Sequence, residues 1–237
     1  MNTDKTAPDL RERGRAKDGS PVYSSRRLWV QFLAFGDCPS TAAVRQDLAE
    51  SGLAAVLYAD LSDPRGIGLI WMHEDPAFFT GAGRDFLNSS AFAGLALKPE
   101  FCMTGRSYAV GYEADLDDVL VNRPRGRILD PVNAWAIWYP VRRSKAFESL
   151  PEDERHRVLM DHGDIGKSFG KAGLAQDIRL ACHGVDKLDN DFVIGVLSAE
   201  LAACSLVVQA MRHSLQTMHH LDGLGPFFAG KVLFQST

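Results

Sequence analysis

The sequence predicts an α+β fold in two tandem halves, and three observations carry that prediction. Apolar strand-like runs alternate with stretches of helical periodicity, the order strand, helix, strand, strand, helix, strand occurs twice, and a charged, proline-containing stretch separates the two occurrences. That order is the ferredoxin-like β-α-β-β-α-β unit. Two such units in tandem can join their sheets into one curved or barrel-like sheet with the helices outside, as in a dimeric α+β barrel.

The first half is read over residues 26–112. RRLWVQFLAF (26–35) is a strand, and TAAVRQDLAESG (41–52) is helical with Gly52 placed to serve as its C-cap. LAAVLYADL and GIGLIWM flank the turn SDPRG, in which Pro64 and Gly66 are the turn residues. A helical segment from Pro76 to about Asn88 and an extended run from Phe101 to Tyr112 complete the unit. Residues 113–133, EADLDDVLVNRPRGRILDPVN, read as a linker, and residues 1–25 as a flexible N-terminal tail.

The second half, residues 134–237, repeats the order. AWAIWYP is a strand with Tyr139 near its end, and LPEDERHRVLMDHG is a helix, acidic in its first turn, with His162 in its last turn and Gly163 beyond it. DIRLACHG and FVIGVLS are strands on either side of VDKLDND. LAACSLVVQAMRHSLQTMHH is one long helix and GPFFAGKVLFQ the last strand.

Composition narrows the function classes. A chain of 237 residues with 46% hydrophobic and 24% charged residues has ordinary globular proportions, enough for one large domain or two fused small ones. The net charge of −4 supplies no basic field, so neither nucleic acid nor a membrane surface is an expected partner. Cys38, Cys102, Cys182 and Cys204 are widely spaced and form no CxxC pair, which argues against a zinc ribbon and a dithiol redox motif. The charged N-terminus has no apolar leader and no run is long enough to span a bilayer, so a cytoplasmic protein is expected.

The candidate chemistry sits between Trp135 and Phe192. Tyr139, His162 and Arg179 are a phenol, an imidazole and a guanidinium, the groups a haem site uses as redox partner, axial ligand and distal cation. On a strand, Arg179, Ala181 and His183 share one face, while Leu180 and Cys182 share the other. His73, His156, His213, His219 and His220 carry no comparable signal.

Four motifs occur in sequence here: YP followed by an arginine-rich turn, LPxxERxxxLxxHG, a strand ending in DxDF, and GPFFxG. Together they resemble the chlorite dismutase family, which includes the coproheme decarboxylases. The resemblance implies a haem site in the C-terminal half, with haem b or coproheme as cofactor and His162 as the proximal iron ligand. Gln216 stands nearest to the position of that ligand's usual carboxylate partner. Arg179 resembles the distal arginine, Tyr139 the radical relay to a propionate, and Arg143 the cation that handles that propionate. Tyr108, Arg123, Arg125 and Arg127 resemble the propionate-binding region, and the four carboxylates of coproheme need several such partners. Phe147 and Glu148 stand where an aromatic pair is usual. The implied activity is a haem-dependent oxidoreductase that decarboxylates coproheme to haem b with H2O2. The alternatives are degradation of chlorite to chloride and dioxygen, and haem binding or delivery without turnover. Relatives of this length imply a homo-oligomer, a pentamer.

Overall fold

In the computed structural model, which describes residues 7–236, both halves follow the predicted order. A hairpin of β1 (Glu12–Arg15) and β2 (Pro21–Ser24) precedes them. The first half contains β3 (Trp29–Gly36), α1 (Ala42–Ser51), β4 (Ala55–Asp60), β5 (Ile67–His73), α2 (Ala77–Thr80), α3 (Ala82–Ser89), the short β6 (Ala96–Leu97) and β7 (Met103–Arg106). A π-helical turn over Asp118–Asn122 leads into α4 (Arg123–Ile128). The second half contains β8 (Trp135–Arg143), α5 (Lys145–Glu148), α6 (Glu152–Lys171), β9 (Gln176–Ala181), β10 (Phe192–Ser198), α7 (Leu201–Met211), α8 (Leu215–His219), β11 (Leu221–Leu224) and β12 (Phe228–Gln235).

Each half arranges its four main strands in the ferredoxin-like order, β7-β3-β5-β4 and β12-β8-β10-β9. The halves join where β4 meets β12 and where β7 meets β9, so eight antiparallel strands close into a barrel. Strand alternation then sorts the side chains. One set fills the interior, where Phe32, Ile70, Trp138, Leu180 and Phe228 are buried together. Trp138 faces Gly195 across β8 and β10, and a Cβ at Gly195 would meet its ring at 2.4 Å, so only glycine leaves room for the indole. Outside, Trp71, Phe78, Phe86 and Phe92 fill the space between the first half's sheet and α1–α3. The corresponding face of the second half carries Tyr139, Phe192 and Val196 against Cys204 and Val207 of α7.

Several local expectations change. Residues 12–24, expected within a flexible tail, form the β1–β2 hairpin, while residues 1–6 lie outside the described residues. Glu12 pins the hairpin: its carboxylate, 11% exposed, accepts from Arg27 Nε at 2.9 Å, Arg106 at 2.8 Å and the Ala109 N–H at 3.0 Å. The expected linker is largely helical, with Leu120 and Val121 buried and Ile128 packed into the barrel interior. The run from Phe101 to Tyr112 is extended as a strand only over Met103–Arg106.

In the second half, β8 continues past Tyr139 and through Pro140 to Arg143. Proline is tolerated there because β12 pairs with β8 up to Trp138 and β11 pairs from Val141 onward, so the position without an N–H falls at the junction of two partner strands. The Pro140 carbonyl on that edge accepts from the Gly225 N–H at 3.0 Å. Helix α6 passes through Gly163 and runs to Lys171, which puts His162 mid-helix instead of in the last turn. The single long helix expected after β10 is two helices, α7 and α8, and Ser214 caps the second by accepting from the Thr217 N–H.

Candidate functional site

The site is a grid of side chains on the outer face of β8, β10 and β9, roofed by α6, α7 and α8. Register places Tyr139, Ile194 and Arg179 in one row across the three strands, with Val141, Phe192 and Ala181 in another and Ile137, Val196 and Asp177 in a third. Two strand spacings separate Tyr139 from Arg179, about 10 Å between backbones. Arg143 continues the alternation on β8 beyond Val141.

Helix α6 supplies His162. Its first turn carries Glu152, Asp153 and Glu154 and its last turn Lys171, charges that oppose the helix dipole favourably. At Gly166 a Cβ would lie 3.3 Å from the Met211 Cε, so the small residue lets the end of α7 close against α6. This contact and the break before α8 bring Ser214 to His162, whose Nδ1 lies 2.9 Å from the Ser214 Oγ.

The same hydroxyl lies 2.8 Å from the Met211 carbonyl oxygen. A carbonyl only accepts, so the hydroxyl proton is directed there and Oγ accepts from the His162 Nδ1–H. The tautomer so assigned leaves Nε2 with a free lone pair, the form that binds a metal. Next to it, Asp161 Oδ2 accepts from the Leu215 N–H at 2.8 Å, so two adjacent residues of α6 grip the start of α8.

Burial, reinforced by the Arg179 and Arg143 charges, pushes the His162 pKa from 6.5 down to about 4, so the imidazole is neutral at neutral pH. An unfolded chain takes up this proton first, because its value is the higher one. Stability should therefore fall as pH drops from about 6.5 towards about 4, by on the order of 3 kcal/mol from this group, and its contribution should level off below. Urea unfolding at pH 7 and pH 4.5, compared with His162→Gln, checks this: the histidine-dependent difference should be positive and vanish in the variant.

Arg143 is half-buried and has no carboxylate partner among the described residues. Its Nε is buried without a hydrogen bond, one terminal nitrogen lies 3.4 Å from Gln216 Oε1, and its guanidinium sits over the Phe147 and Phe192 rings at 4.5 and 4.6 Å. Arg179 is exposed and makes no hydrogen bond or ion pair among the described residues. Tyr108 packs on Phe192 with ring centroids 5.8 Å apart, and burial pushes its phenol pKa up against the pull of Arg179 and Arg143. Tyr139 is 5% exposed and stacks on Phe227 with centroids 4.5 Å apart. Burial raises its pKa too, so the phenol keeps its proton.

His162, Arg143, Arg179 and Tyr108 are therefore brought together, with Tyr139 on the same sheet face. Arg123 and Arg125 are not. Arg123 is ion-paired with Asp118, and Arg125 lines a groove with Gly52, Leu53 and Ser236. Arg127 reaches only the edge of the site, donating to the Asp177 carbonyl at 2.7 Å. Gln216, expected beside His162, binds Arg143 instead, and Ser214 takes its place as partner of the imidazole. The signal for Ser214 was present in the sequence as Ser-Leu-Gln-Thr, a helix-capping pattern directly after the polar Arg212-His213.

This donor set suits a planar group with a metal centre and carboxylates. The imidazole offers one neutral nitrogen, the guanidinia have no internal counter-charge, and the sheet face between them is apolar and aromatic. A duplicated ferredoxin-like barrel with one histidine roofing one sheet face is the class that fold and site define. The profile of the chlorite dismutase family matches residues 42–233. The chain belongs to that family.

Solved structures agree in fold. A haem-binding protein from Thermus thermophilus superposes with a TM-score of 0.68 at 17% identity, over 88% of this chain and 92% of that one. An arginine-to-lysine variant of chlorite dismutase from Candidatus Nitrospira defluvii gives 0.65 at 17% identity, over 88% and 92%. The complex of that chlorite dismutase with imidazole gives 0.65 at 16% identity, over 86% and 90%. Among curated proteins, no sequence matches this chain. No helix among the described residues is long and apolar enough to cross a membrane.

Proposed function

We propose that the protein binds an iron porphyrin through His162 Nε2 and uses it for peroxide-dependent decarboxylation of coproheme to haem b. The observation that carries this reading is the His162–Ser214 hydrogen bond, which frees Nε2 above a face holding Tyr139 and a guanidinium, Arg143, without a carboxylate partner. A haem bound there supplies peroxide activation and one-electron oxidation. Arg143 and the Tyr108 hydroxyl hold a propionate carboxylate by charge-assisted hydrogen bonds. Tyr139, neutral and shielded from bulk water, gives up its hydroxyl hydrogen and then takes a hydrogen from the propionate carbon next to the ring. Each of the two propionates that react, with one H2O2 and one proton, yields a vinyl group, carbon dioxide and two waters, and the other two propionates are retained.

Anaerobic titration of apoprotein with coproheme and with haem b, followed by peroxide and mass spectrometry of the porphyrin, tests the proposal. Stepwise loss of carbon dioxide from coproheme supports it. Tight binding with an unchanged porphyrin would leave a haem-binding or delivery role instead. A homo-oligomer, five-fold by family resemblance, and a cytoplasmic location complete the proposal, and sedimentation measures the first.

Arg179 favours a second reading, chlorite degradation to chloride and dioxygen. An unpaired guanidinium facing the same space can retain a small oxyanion. Under this reading Arg179→Gln should weaken fluoride or cyanide binding by about 1–3 kcal/mol and hasten bleaching during chlorite turnover. Brisk dioxygen evolution from chlorite, with coproheme left intact under peroxide, would replace the first reading with this one.

A further inference from the structure

We propose that Ser214 is the positioning residue that sets the tautomer of His162 and leaves it a weakly donating ligand. The proposal rests on the haem reading above for its spectroscopic consequence and on geometry alone for the tautomer. The Ser214 hydroxyl has four partners: its proton is directed to the Met211 carbonyl at 2.8 Å, its oxygen receives the His162 Nδ1–H at 2.9 Å and caps α8 at the Thr217 N–H at 3.4 Å, and the Thr217 hydroxyl lies 3.2 Å away. A hydroxyl held in this way has no freedom to turn its proton towards the imidazole. Its side chain is almost fully buried, so water does not substitute for it.

The chemical consequence follows from the charge of the acceptor. A carboxylate accepting from Nδ1–H pulls the ring towards imidazolate and enriches the opposite nitrogen in electron density. A neutral hydroxyl whose own lone pairs are shared with a helix cap pulls far less. Gln216, the nearest alternative, is turned to Arg143, and Asp161 is engaged by the Leu215 N–H. No anionic acceptor therefore bonds to Nδ1 among the described residues.

Three variants separate positioning from support of the helix. Ser214→Thr keeps hydroxyl and cap, Ser214→Asp keeps a strong cap but makes the acceptor anionic, and Ser214→Ala removes both. In the apoprotein, long-range nitrogen–proton correlation spectra of the imidazole should report the Nδ1–H tautomer in the wild type and Ser214→Thr. A mixture rich in the Nε2–H form should appear in Ser214→Ala. Retention of a pure Nδ1–H tautomer in Ser214→Ala would overturn the proposal.

In the ferrous haem-loaded protein, the iron–imidazole stretching band should be unchanged in Ser214→Thr and move to higher frequency in Ser214→Asp. Haem affinity in Ser214→Ala should fall by about ten-fold, the lower end of the usual effect of such partners. An unmoved band in Ser214→Asp would also overturn the proposal. A wild-type protein with no such band would sink the haem reading alone, and the apoprotein tautomer would still decide the role of Ser214.

Discussion

Replacing His162 with alanine should abolish the imidazole-ligated porphyrin spectrum and weaken binding by more than the roughly 10- to 100-fold typical of outer partners of a metal site. Free imidazole should restore part of the spectrum, because the vacated volume lies beneath a helix that remains in place. The fold should survive, since alanine is the better helix former and the buried imidazole is itself a desolvated group. His183→Ala is the control. That ring is 61% exposed and lies 3.5 Å from Asp191 at the end of β9, so its loss should leave the spectrum intact. An unchanged spectrum in His162→Ala would remove the axial role and with it the chemistry assigned to the site.

The two-fold repeat was readable because each unit buries two surfaces that impose different periods. β3, β5, β8 and β10 turn one face to the barrel interior and one to the helices, so they stand out as continuous apolar runs, and turn residues such as Pro64 and Gly66 mark where direction reverses. The hairpin at residues 12–24 was not readable. Its sequence is charged, and what holds it is Glu12 meeting Arg27 and Arg106, the second partner 94 residues away. Gly163 misled for a different reason: a Cβ there would meet nothing within 4 Å, so it lies inside the helix with no packing role, and a glycine of that kind looks the same in the sequence as one that ends a helix.

Strand parity explains which candidate residues could be placed on one face. Arg179 and Tyr139 share a face with Ile194 because the β8–β10–β9 register puts them in one row, and parity along each strand was legible even though the register was not. Helical positions were harder. Arg123, Arg125 and Arg127 look like one cluster in the sequence, but successive alternate residues on a helix point in nearly opposite directions, and only Arg127 reaches β9. Ser214 and Gln216 illustrate the same limit. They are two residues apart at the start of a short helix, and the break after Met211 gives His162 to one and Arg143 to the other.

Tyr139→Phe should leave porphyrin affinity nearly unchanged while peroxide-driven decarboxylation falls by on the order of 100-fold or more, the scale for losing a group used only in the reacting state. The ring keeps its stacking on Phe227 and its place in the apolar cluster. The hydroxyl makes no hydrogen bond to protein among the described residues, so removing it should cost little stability. What is lost is the one oxidisable O–H that the outer face of β8 turns towards the helices. Stopped-flow mixing of the coproheme complex with peroxide separates the effects: binding and the first peroxide-dependent spectral change should persist, whereas loss of carbon dioxide should not follow. Equal product formation by wild type and variant would reduce Tyr139 to a packing residue and leave the decarboxylation to another oxidisable group.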